Sequence, residues 1–321
     1  MSTKLTSVRR YQVGVSLVEL MVTVVVALLL LGGLIQVYLS NKQSYNAQEQ
    51  LARMQESGRF AMELITRDLR RAGYWGGNVD TTSINNKVPP ADACGTSSDW
   101  GQMIEWRVSG VNNANVGYPC TDANYLANTD ILTIRYAGPE PVAAGVPATT
   151  PNALYLRSSL FAGSLMIGSE ASVTQVPPFA AGTPTHLLAE DRRLVSHAYF
   201  VGDGQGTCNG AAVPALHRVR LDANGAPLVE EIAPGVEQFQ VQYLLDGTYQ
   251  DADVDFTDTR WPDVSAVRIW LLTRGECPEP GLENTATYAM GDLTQPWPAA
   301  TDDFRRQLYV ATIMLRNTLV R

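Results

Sequence analysis

Residues 14–39 read GVSLVELMVTVVVALLLLGGLIQVYL, an apolar run that carries one carboxylate near its start, Glu19. Residues 20–39 are uncharged, and a helix of that length spans about 30 Å, the thickness of the hydrocarbon core of a bilayer. The sequence therefore predicts a membrane-spanning helix. A lone carboxylate costs about 2.5 to 3.5 kcal/mol at the bilayer centre, so Glu19 is expected to have a partner.

Three basic residues and no acidic residue precede the apolar run, at Lys4, Arg9 and Arg10. The positive-inside rule therefore predicts a cytoplasmic amino terminus and a translocated remainder. Two alternatives fit the pattern less well. A cleaved secretory signal peptide has a shorter apolar core, of about 7 to 15 residues, and a small-x-small cleavage site that is missing after Leu39. A plain signal anchor provides no partner for Glu19.

Beyond residue 40 the helical pattern continues with a charged outer face. Apolar and small residues recur at steps of three and four, which places them on one side of a helix. Arg70 and Arg71 complement the helix dipole, and Gly73 follows as a stop signal. We predict one helix over about residues 15–72, whose second half packs on the head. The stripe consists of Leu51, Met54, Gly58, Ala61, Ile65, Leu69 and Ala72.

From Gly73 onward, short runs rich in Val, Ile, Leu and Tyr alternate with Gly, Pro, Asn and Asp, a pattern typical of strands and turns. The predicted fold class is α+β, with a long amino-terminal helix packed on a mainly antiparallel β head. Residues 222–225, DANG, predict a hairpin turn, and residues 84–99 and 138–152 are expected to be irregular loops. The predicted strands are 102–108, 130–136, 153–157, 197–201, 216–221, 228–232, 236–244, 264–272 and 307–315.

The composition is that of a folded, acidic protein. With 45% hydrophobic and 17% charged residues, the chain has enough apolar material for a sizeable core. Its formal net charge is -8, and loss of the basic start would make it more negative. Bulk electrostatics therefore do not attract nucleic acid, and we expect none as a partner.

All four cysteines, Cys94, Cys120, Cys208 and Cys277, follow the predicted membrane segment, and none belongs to a C-x-x-C pair. This pattern favours disulfides in an oxidising compartment over a metal site. Three pairings are possible; Cys94 with Cys120 and Cys208 with Cys277 would close two local loops. Buried free thiols are the alternative.

The start of the apolar run, GVSLVELM at residues 14–21, resembles the type IV prepilin signature of type IV pilins and type II secretion pseudopilins. The resemblance implies that a prepilin peptidase cuts after Gly14 and methylates the new amino terminus at Val15, where the family usually has Phe. It also implies that Glu19 neutralises the amino terminus of a neighbouring subunit during assembly. That role supplies a partner for the carboxylate.

Several later segments resemble the PilW type of minor pilin, a relative of the J-type pseudopilins. The resemblance is weaker between residues 77 and 195, and each segment alone is loose. The segments are RDLRRAGYWG at residues 67–76, AYFV at 198–201, LHR at 216–218, IAPGVE at 232–237, FQVQY at 239–243, VSAVRIWLL at 264–272, and the terminal stretch 305–317.

These resemblances imply a structural subunit that helps initiate type IV pilus assembly and lies at or near the filament tip. The implied partners are other minor pilins, the major pilin, the prepilin peptidase, the inner membrane of a Gram-negative bacterium and a tip adhesin. The expected organisation is a leader (1–14), a transmembrane assembly segment (15–40), an amphipathic helix half (41–72) and a periplasmic head (73–321). The alternatives are a pseudopilin of a type II secretion system and a pilus-borne adhesive or receptor module.

Other candidate sites are weaker. Asp251, Asp253 and Asp255 place carboxylates at alternate positions, as a calcium loop does, but Phe256 and Pro262 replace the Gly and Glu that an EF-hand requires. A solvated acidic loop is favoured. The glycine-rich residues 202–206 are interpreted as a turn rather than a phosphate cradle, because a strand follows them. The three histidines lack metal-binding spacing and no G-x-S-x-G motif occurs, so no enzyme activity and no cofactor are predicted.

Overall fold

The computed structural model describes residues 14–88, 94, 98–121, 125–143, 145–176, 188–252, 260–293, 297–298 and 301–317. The chain divides into two compact units, one ending at Glu49 and the other beginning at Gln50. One helix, α1 (Leu17–Arg71), belongs to both units. The two parts are described separately below.

In the first unit α1 exposes its apolar side chains. Leu17 is 76% exposed and Leu29 is 72% exposed, and the other large apolar side chains of this part are exposed too. The Thr23 hydroxyl donates to the Leu20 carbonyl at 2.8 Å, so this polar group is satisfied within the helix. Among the described residues, α1 is the one helix long and apolar enough to cross a membrane, by length and composition.

In the second unit α1 buries one face, as the stripe predicted. Met54, Gly58, Ala61, Ile65 and Leu69 are buried. Gly58 permits close packing, since a Cβ there would lie 2.2 Å from the Tyr309 ring. This half of the helix is therefore part of the head.

The head contains twelve strands and one further short α-helix among the described residues, and the strands form two sheets. The first sheet has eight strands in the order β1-β5-β4-β6-β3-β2, with β7 beside β6 and β8 beside β7; β1 and β5 are parallel and the other pairs antiparallel. The second sheet is antiparallel with the order β10-β9-β11-β12. The elements are β1 (Ile84–Asn85), β2 (Val108–Val111), β3 (Ile131–Ala137), α2 (Val146–Thr149), β4 (Leu154–Ser158), β5 (Gly163–Ile167), β6 (Glu190–Cys208), β7 (Ala211–Leu221), β8 (Pro227–Pro234), β9 (Val236–Leu245), β10 (Thr248–Asp251), β11 (Ala266–Arg274) and β12 (Arg306–Met314).

The main core lies where the second half of α1 meets both sheets. Ile65 and Leu69 of the helix belong to the same buried cluster as Leu132 of β3 and as Phe239 and Ile269 of the second sheet. The sheets are also joined through the backbone, because the Asp130 N–H donates to the Phe239 carbonyl at 2.9 Å. The predicted α+β fold, with a mainly antiparallel head, is confirmed.

Most predicted strands overlap observed ones, but the strand predicted at 102–108 is wrong. There the chain turns: the Ile104 N–H bonds to the Gln102 carbonyl and the Trp106 N–H to the Met103 carbonyl, and β2 begins only at residue 108. Apolar side chains in this stretch are buried without a ladder. The prediction also missed β1, β5 and β10, and the expected loop 138–152 contains α2.

The glycine-rich residues 202–206 were expected to be a turn, and this prediction is also wrong. They continue β6, with a shift of register against β7 between Asp203 and Thr207. By contrast, the hairpin turn at 222–225 is confirmed between β7 and β8. The Asp222 side chain accepts the N–H of Asn224, and Gly225 takes the positive φ of 76°.

Candidate functional site

The first candidate site is the start of α1. Gly14, Val15 and Ser16 precede the helix, and the Ser16 carbonyl accepts the Leu20 N–H at 3.0 Å. Glu19 lies in the first turn, where the helix dipole favours a negative charge. No ion pair joins Glu19 to any residue that the structure describes. The local backbone therefore presents this carboxylate within an apolar, exposed surface.

That apolar surface has a physical consequence. Large contiguous apolar patches mark surfaces that contact protein or lipid, because exposing them to water costs about 25 cal/mol per Å². The exposed side chains from Val15 to Leu39 are too numerous for a water-facing helix. This part of α1 fits either a bilayer or a bundle of similar helices.

A second cluster, the Asp68 cluster, lies in the head and consists of Asp68, Tyr136, His197 and Tyr199. The Asp68 carboxylate is buried and accepts the hydroxyls of Tyr199 at 2.6 Å and Tyr136 at 3.0 Å. His197 Nδ1 lies 2.5 Å from Asp68 Oδ2, the oxygen that also accepts the Tyr199 hydroxyl, while Tyr136 donates to Oδ1. Because the tyrosines and the histidine belong to β3 and β6, the cluster fastens α1 to the first sheet.

The environment of Asp68 lowers its pKa. Burial by itself would raise the pKa of this carboxyl, but the hydrogen bond and attraction from His197 and the two tyrosine hydroxyls outweigh it. The same burial, together with the Asp68 charge, raises the pKa of Tyr199 well above its ordinary value. Asp68 is therefore an ionised, fully hydrogen-bonded structural group.

A second buried carboxyl, Asp130, connects β3 to β9. It accepts the N–H groups of Asn113 at 2.9 Å and Val241 at 2.6 Å. Burial raises the pKa of Asp130 to about 8, the two N–H donors oppose the shift, and the charges of Asp292 and Asp251 add to it. The raised pKa favours the protonated form of Asp130, whereas the lowered pKa of Asp68 favours the ionised form.

Arg135 is a buried cation of β3. Its guanidinium donates to the carbonyl of Trp106 at 2.9 Å and to that of Trp100 at 3.2 Å, and it lies 5.5 Å from the centre of the Trp100 ring. Burial lowers the pKa of Arg135 to about 10. The side chain secures the segment before β2, which explains how that segment is held without strand pairing.

The structure contains two disulfides. Cys94 is bonded to Cys120, and Cys208 is bonded to Cys277, across sequence separations of 26 and 69 residues. This is the pairing that closes two local loops. The second bond joins the end of β6, in the first sheet, to the segment after β11, in the second.

The calcium candidates find no support in the described residues. Asp251 ends β10, whereas Asp253 and Asp255 lie outside the residues that the structure describes. Within the described ranges, no group of three or more His, Cys, Asp or Glu side chains could hold a metal ion.

Sequence reasoning missed the Asp68 cluster, although a signal was present. Asp68 falls three residues after Ile65 and four before Ala72, so it occupies the buried stripe of α1. A charged residue on a buried stripe requires hydrogen-bond partners. The partners could not be named from sequence, because they come from strands more than sixty residues away.

Part of the chain is similar to a known protein family. Residues 198–317 match the family model described as "PilW: Type IV Pilus-assembly protein W". The match covers β7 to β12 and the second half of β6, and over this range it confirms the resemblance to PilW. The matched family is one of pilus assembly, and the match covers residues 198–317 of the 321-residue chain. Over this range the chain is similar to proteins of type IV pilus assembly.

Two solved structures are distantly similar. "Type IV-like pilin TTHA1219 from Thermus thermophilus" is 13% identical with a TM-score of 0.37, and the alignment covers 84% of this chain and 99% of that one. A chain of the GspK-GspI-GspJ complex from the enterotoxigenic Escherichia coli type 2 secretion system is 10% identical with a TM-score of 0.30, covering 81% and 96%. Likenesses at this distance support no functional conclusion. No curated protein sequence matches the chain.

Proposed function

We propose that the chain is a minor pilin, which helps to initiate type IV pilus assembly and lies at or near the filament tip. The observation that carries the proposal is the combination, in one chain, of a PilW-type region at 198–317 with an exposed apolar helix whose first turn contains Glu19. The PilW match supports a role in a type IV pilus. The exposed apolar helix supports assembly through the amino-terminal segment.

The proposed sequence of events begins with processing. The prepilin peptidase removes residues 1–14 after Gly14 and methylates Val15, and residues 15–40 hold the protein in the inner membrane with the head, 73–321, in the periplasm. On assembly, Glu19 pairs with the amino terminus of a neighbouring subunit, and the apolar surface exchanges lipid for other pilin helices. A charge pair in hydrocarbon is tolerated where a lone charge is not.

The size of the head supports the proposed tip position. A head of residues 73–321 on one helix would crowd a closely packed shaft, whereas an end position leaves space around it. Other minor pilins are the proposed neighbours at that end. We propose that the amphipathic half of the helix, residues 41–72, packs on the head.

Processing is tested by the intact mass of the protein purified from its native membranes. We expect the mass of the chain starting at methylated Val15, and a Gly14→Leu variant should retain residues 1–14, because a bulky side chain blocks the cleavage position. Ser16→Ala is the matched control and should be processed. Retention of the leader in the unaltered protein would contradict the proposal.

Location is tested by immunogold labelling of the head and by deletion. We expect label at filament ends and loss of piliation in the deletion strain. Label along the whole shaft would contradict the tip position. Normal piliation together with a defect in protein secretion would instead identify a type II secretion pseudopilin.

A further inference from the structure

The last strand of the second sheet, β12, has an unpaired edge in the described part of the chain. It pairs with β11 on one side and ends the strand order of its sheet. Just before β12 the Arg305 carbonyl accepts the Gly275 N–H, and just after it the Leu315 N–H donates to the Ser265 carbonyl. The odd-numbered residues between them therefore direct their backbone N–H and C=O groups at β11. In an antiparallel ladder the even-numbered residues then direct their backbone N–H and C=O groups away from β11.

The outward residues form a short template for strand addition. Val310, Thr312 and Met314 direct N–H and C=O groups away from β11, and no described residue bonds to these groups. Natural proteins usually protect such edges with Pro, Lys, inward-pointing charges or a covering loop. Residues 307–314 contain no charged residue and no Pro, and Val310 and Met314 are 53% and 61% exposed.

An arginine-lined groove borders this edge on the side of α1. It has a volume of about 630 Å³ and is lined by α1 and by the end of β12 and the residues after it. Among the described residues, no ion pair engages Arg67, Arg70 or Arg316, and Glu63 is the one acidic side chain of the lining. The lining residues are Met62, Glu63, Thr66, Arg67, Arg70, Arg71, Ala311 and Arg316.

The charge of the groove is opposite to that of the whole chain. The chain has a formal net charge of -8, yet four arginines converge here. Guanidinium groups bind carboxylates in bidentate geometry, so a cluster of arginines attracts a carboxylate-bearing segment. An acidic partner is therefore directed to this groove.

We propose that the edge and the groove form one docking site, at which another pilin-type subunit adds an extended, carboxylate-bearing segment to β12. The inference rests on the proposed function for the nature of the partner. The backbone of the added strand bonds to Val310, Thr312 and Met314, and its carboxylates reach the arginines. Strand addition supplies affinity through main-chain bonds, and the side-chain pockets supply specificity.

The test uses the full chain in detergent and a defined probe, the labelled peptide acetyl-Val-Asp-Val-Asp-Val-Asp-Val-amide, in fluorescence anisotropy. We expect binding of this peptide, and binding about ten-fold weaker when Asn replaces each Asp, because the charge pairs are lost. Absence of binding up to about 1 mM peptide would overturn the proposal.

Two pairs of variants separate the charges from the strand edge. The double variant Arg67→Glu/Arg70→Glu should weaken binding about ten-fold or more, whereas Arg67→Lys/Arg70→Lys should stay within about three-fold. Thr312→Pro should also weaken binding, because it removes an outward N–H without touching the ladder with β11, and Thr312→Ala should not. Unchanged binding in Thr312→Pro would overturn strand addition.

A DNA duplex is the competing ligand for an arginine cluster and serves as the last probe. Tighter binding of DNA than of the Asp peptide, insensitive to Thr312→Pro, would overturn the proposal. The peptide-binding result can be separated from the proposed function, because Glu19→Ala tests assembly and leaves the docking site unchanged. Loss of assembly in Glu19→Ala with no peptide binding would reject the docking site alone.

Discussion

Two carboxylates of the same helix have opposite surroundings. Asp68, in the head, is buried and has three side-chain partners from β3 and β6. Glu19, in the first unit, lies on an exposed apolar surface, and no described residue forms an ion pair with it. The head satisfies its carboxylate within the chain, while the amino-terminal segment leaves its carboxylate available to another molecule.

The difference teaches how to distinguish a structural charge from an assembly charge. A buried charge that is satisfied inside the chain contributes to the stability of the fold. A charge that an apolar segment carries without an internal partner must be satisfied from outside, because hydrocarbon does not solvate it. Substitution should therefore change stability at Asp68 and association at Glu19.

The largest expected effect is on assembly, from Glu19→Ala. We expect piliation to be lost, because the neighbour's amino terminus loses its counter-charge, while the head keeps its thermal unfolding midpoint. Electron microscopy of filaments and circular dichroism of the purified protein measure the two quantities. Glu56→Ala, an exposed carboxylate of the same helix, is the control and should leave both unchanged. Normal piliation in Glu19→Ala would break the comparison.

The next effect is on stability, from Asp68→Ala. We expect the head to lose about 3 to 5 kcal/mol, because His197 and two tyrosine hydroxyls lose their shared acceptor in a buried site. Urea unfolding followed by tryptophan fluorescence measures this loss. An exposed carboxylate of the same helix, Glu63, provides the control, and Glu63→Ala should change stability by less than about 0.5 kcal/mol. A similar result for both variants would mean that the Asp68 cluster does not fasten α1.

A pH series with Asp130→Asn extends the comparison to a third carboxyl. Its pKa of about 8 in the folded state lies above its ordinary value of 3.8, so the folded state binds the extra proton between these values. Stability should fall as pH rises from about 4 to about 8, with a slope of at most about 1.4 kcal/mol per pH unit. Asp130→Asn should remove this slope.

The Asp68 contribution has the opposite sign in the same series. The pKa of Asp68 is lowered on folding, so its contribution is present above the ordinary pKa and is lost as pH falls through the lowered one. In a plot of the free energy of unfolding against pH, Asp68→Asn should flatten only the part at acidic pH. If Asp130→Asn flattened that part instead, the assignment of the two carboxyls would be wrong.

The smallest expected effect comes from Tyr136→Phe. This change removes one of the donors to Asp68 and keeps the ring, so we expect a loss of about 1 kcal/mol. Urea unfolding measures it, with Tyr74→Phe, a tyrosine outside the Asp68 cluster, as the control. A loss as large as that of Asp68→Ala would show that Tyr136 matters through packing rather than through its hydroxyl.

The sequence predicted the features that depend on local pattern. The stripe through Met54, Ala61 and Ile65 predicted the buried face of α1, and DANG predicted its hairpin turn, because helix periodicity and turn chemistry are local. It failed at 102–108, where apolar residues are buried in turns, and at 202–206, where glycines continue a strand. Those outcomes depend on neighbours that only the tertiary fold supplies.

The candidate sites divide along the same line. Gly14, Val15 and Glu19 were singled out from sequence because a membrane segment and its signature are contiguous. The Asp68 cluster and the groove beside β12 combine residues from distant parts of the chain, such as Arg67 with Arg316, and periodicity contains no information about such pairs.

The position of β12 beside α1 sets an order for folding. Tyr309 packs against Gly58 and its hydroxyl bonds to the Gln55 carbonyl, 254 residues earlier, and the Asn317 side chain bonds to the Arg71 carbonyl, 246 residues earlier. Since α1 is synthesised first and β12 late, the part of the stripe around Gly58 is covered only after most of the chain has been synthesised. Contacts of such long sequence separation form slowly, and the folding intermediates that precede them expose apolar surface and tend to aggregate. A chain stalled before residue 306 would leave the part of that stripe around Gly58 without its Tyr309 contact, which makes it a substrate for chaperones and proteases rather than for a filament.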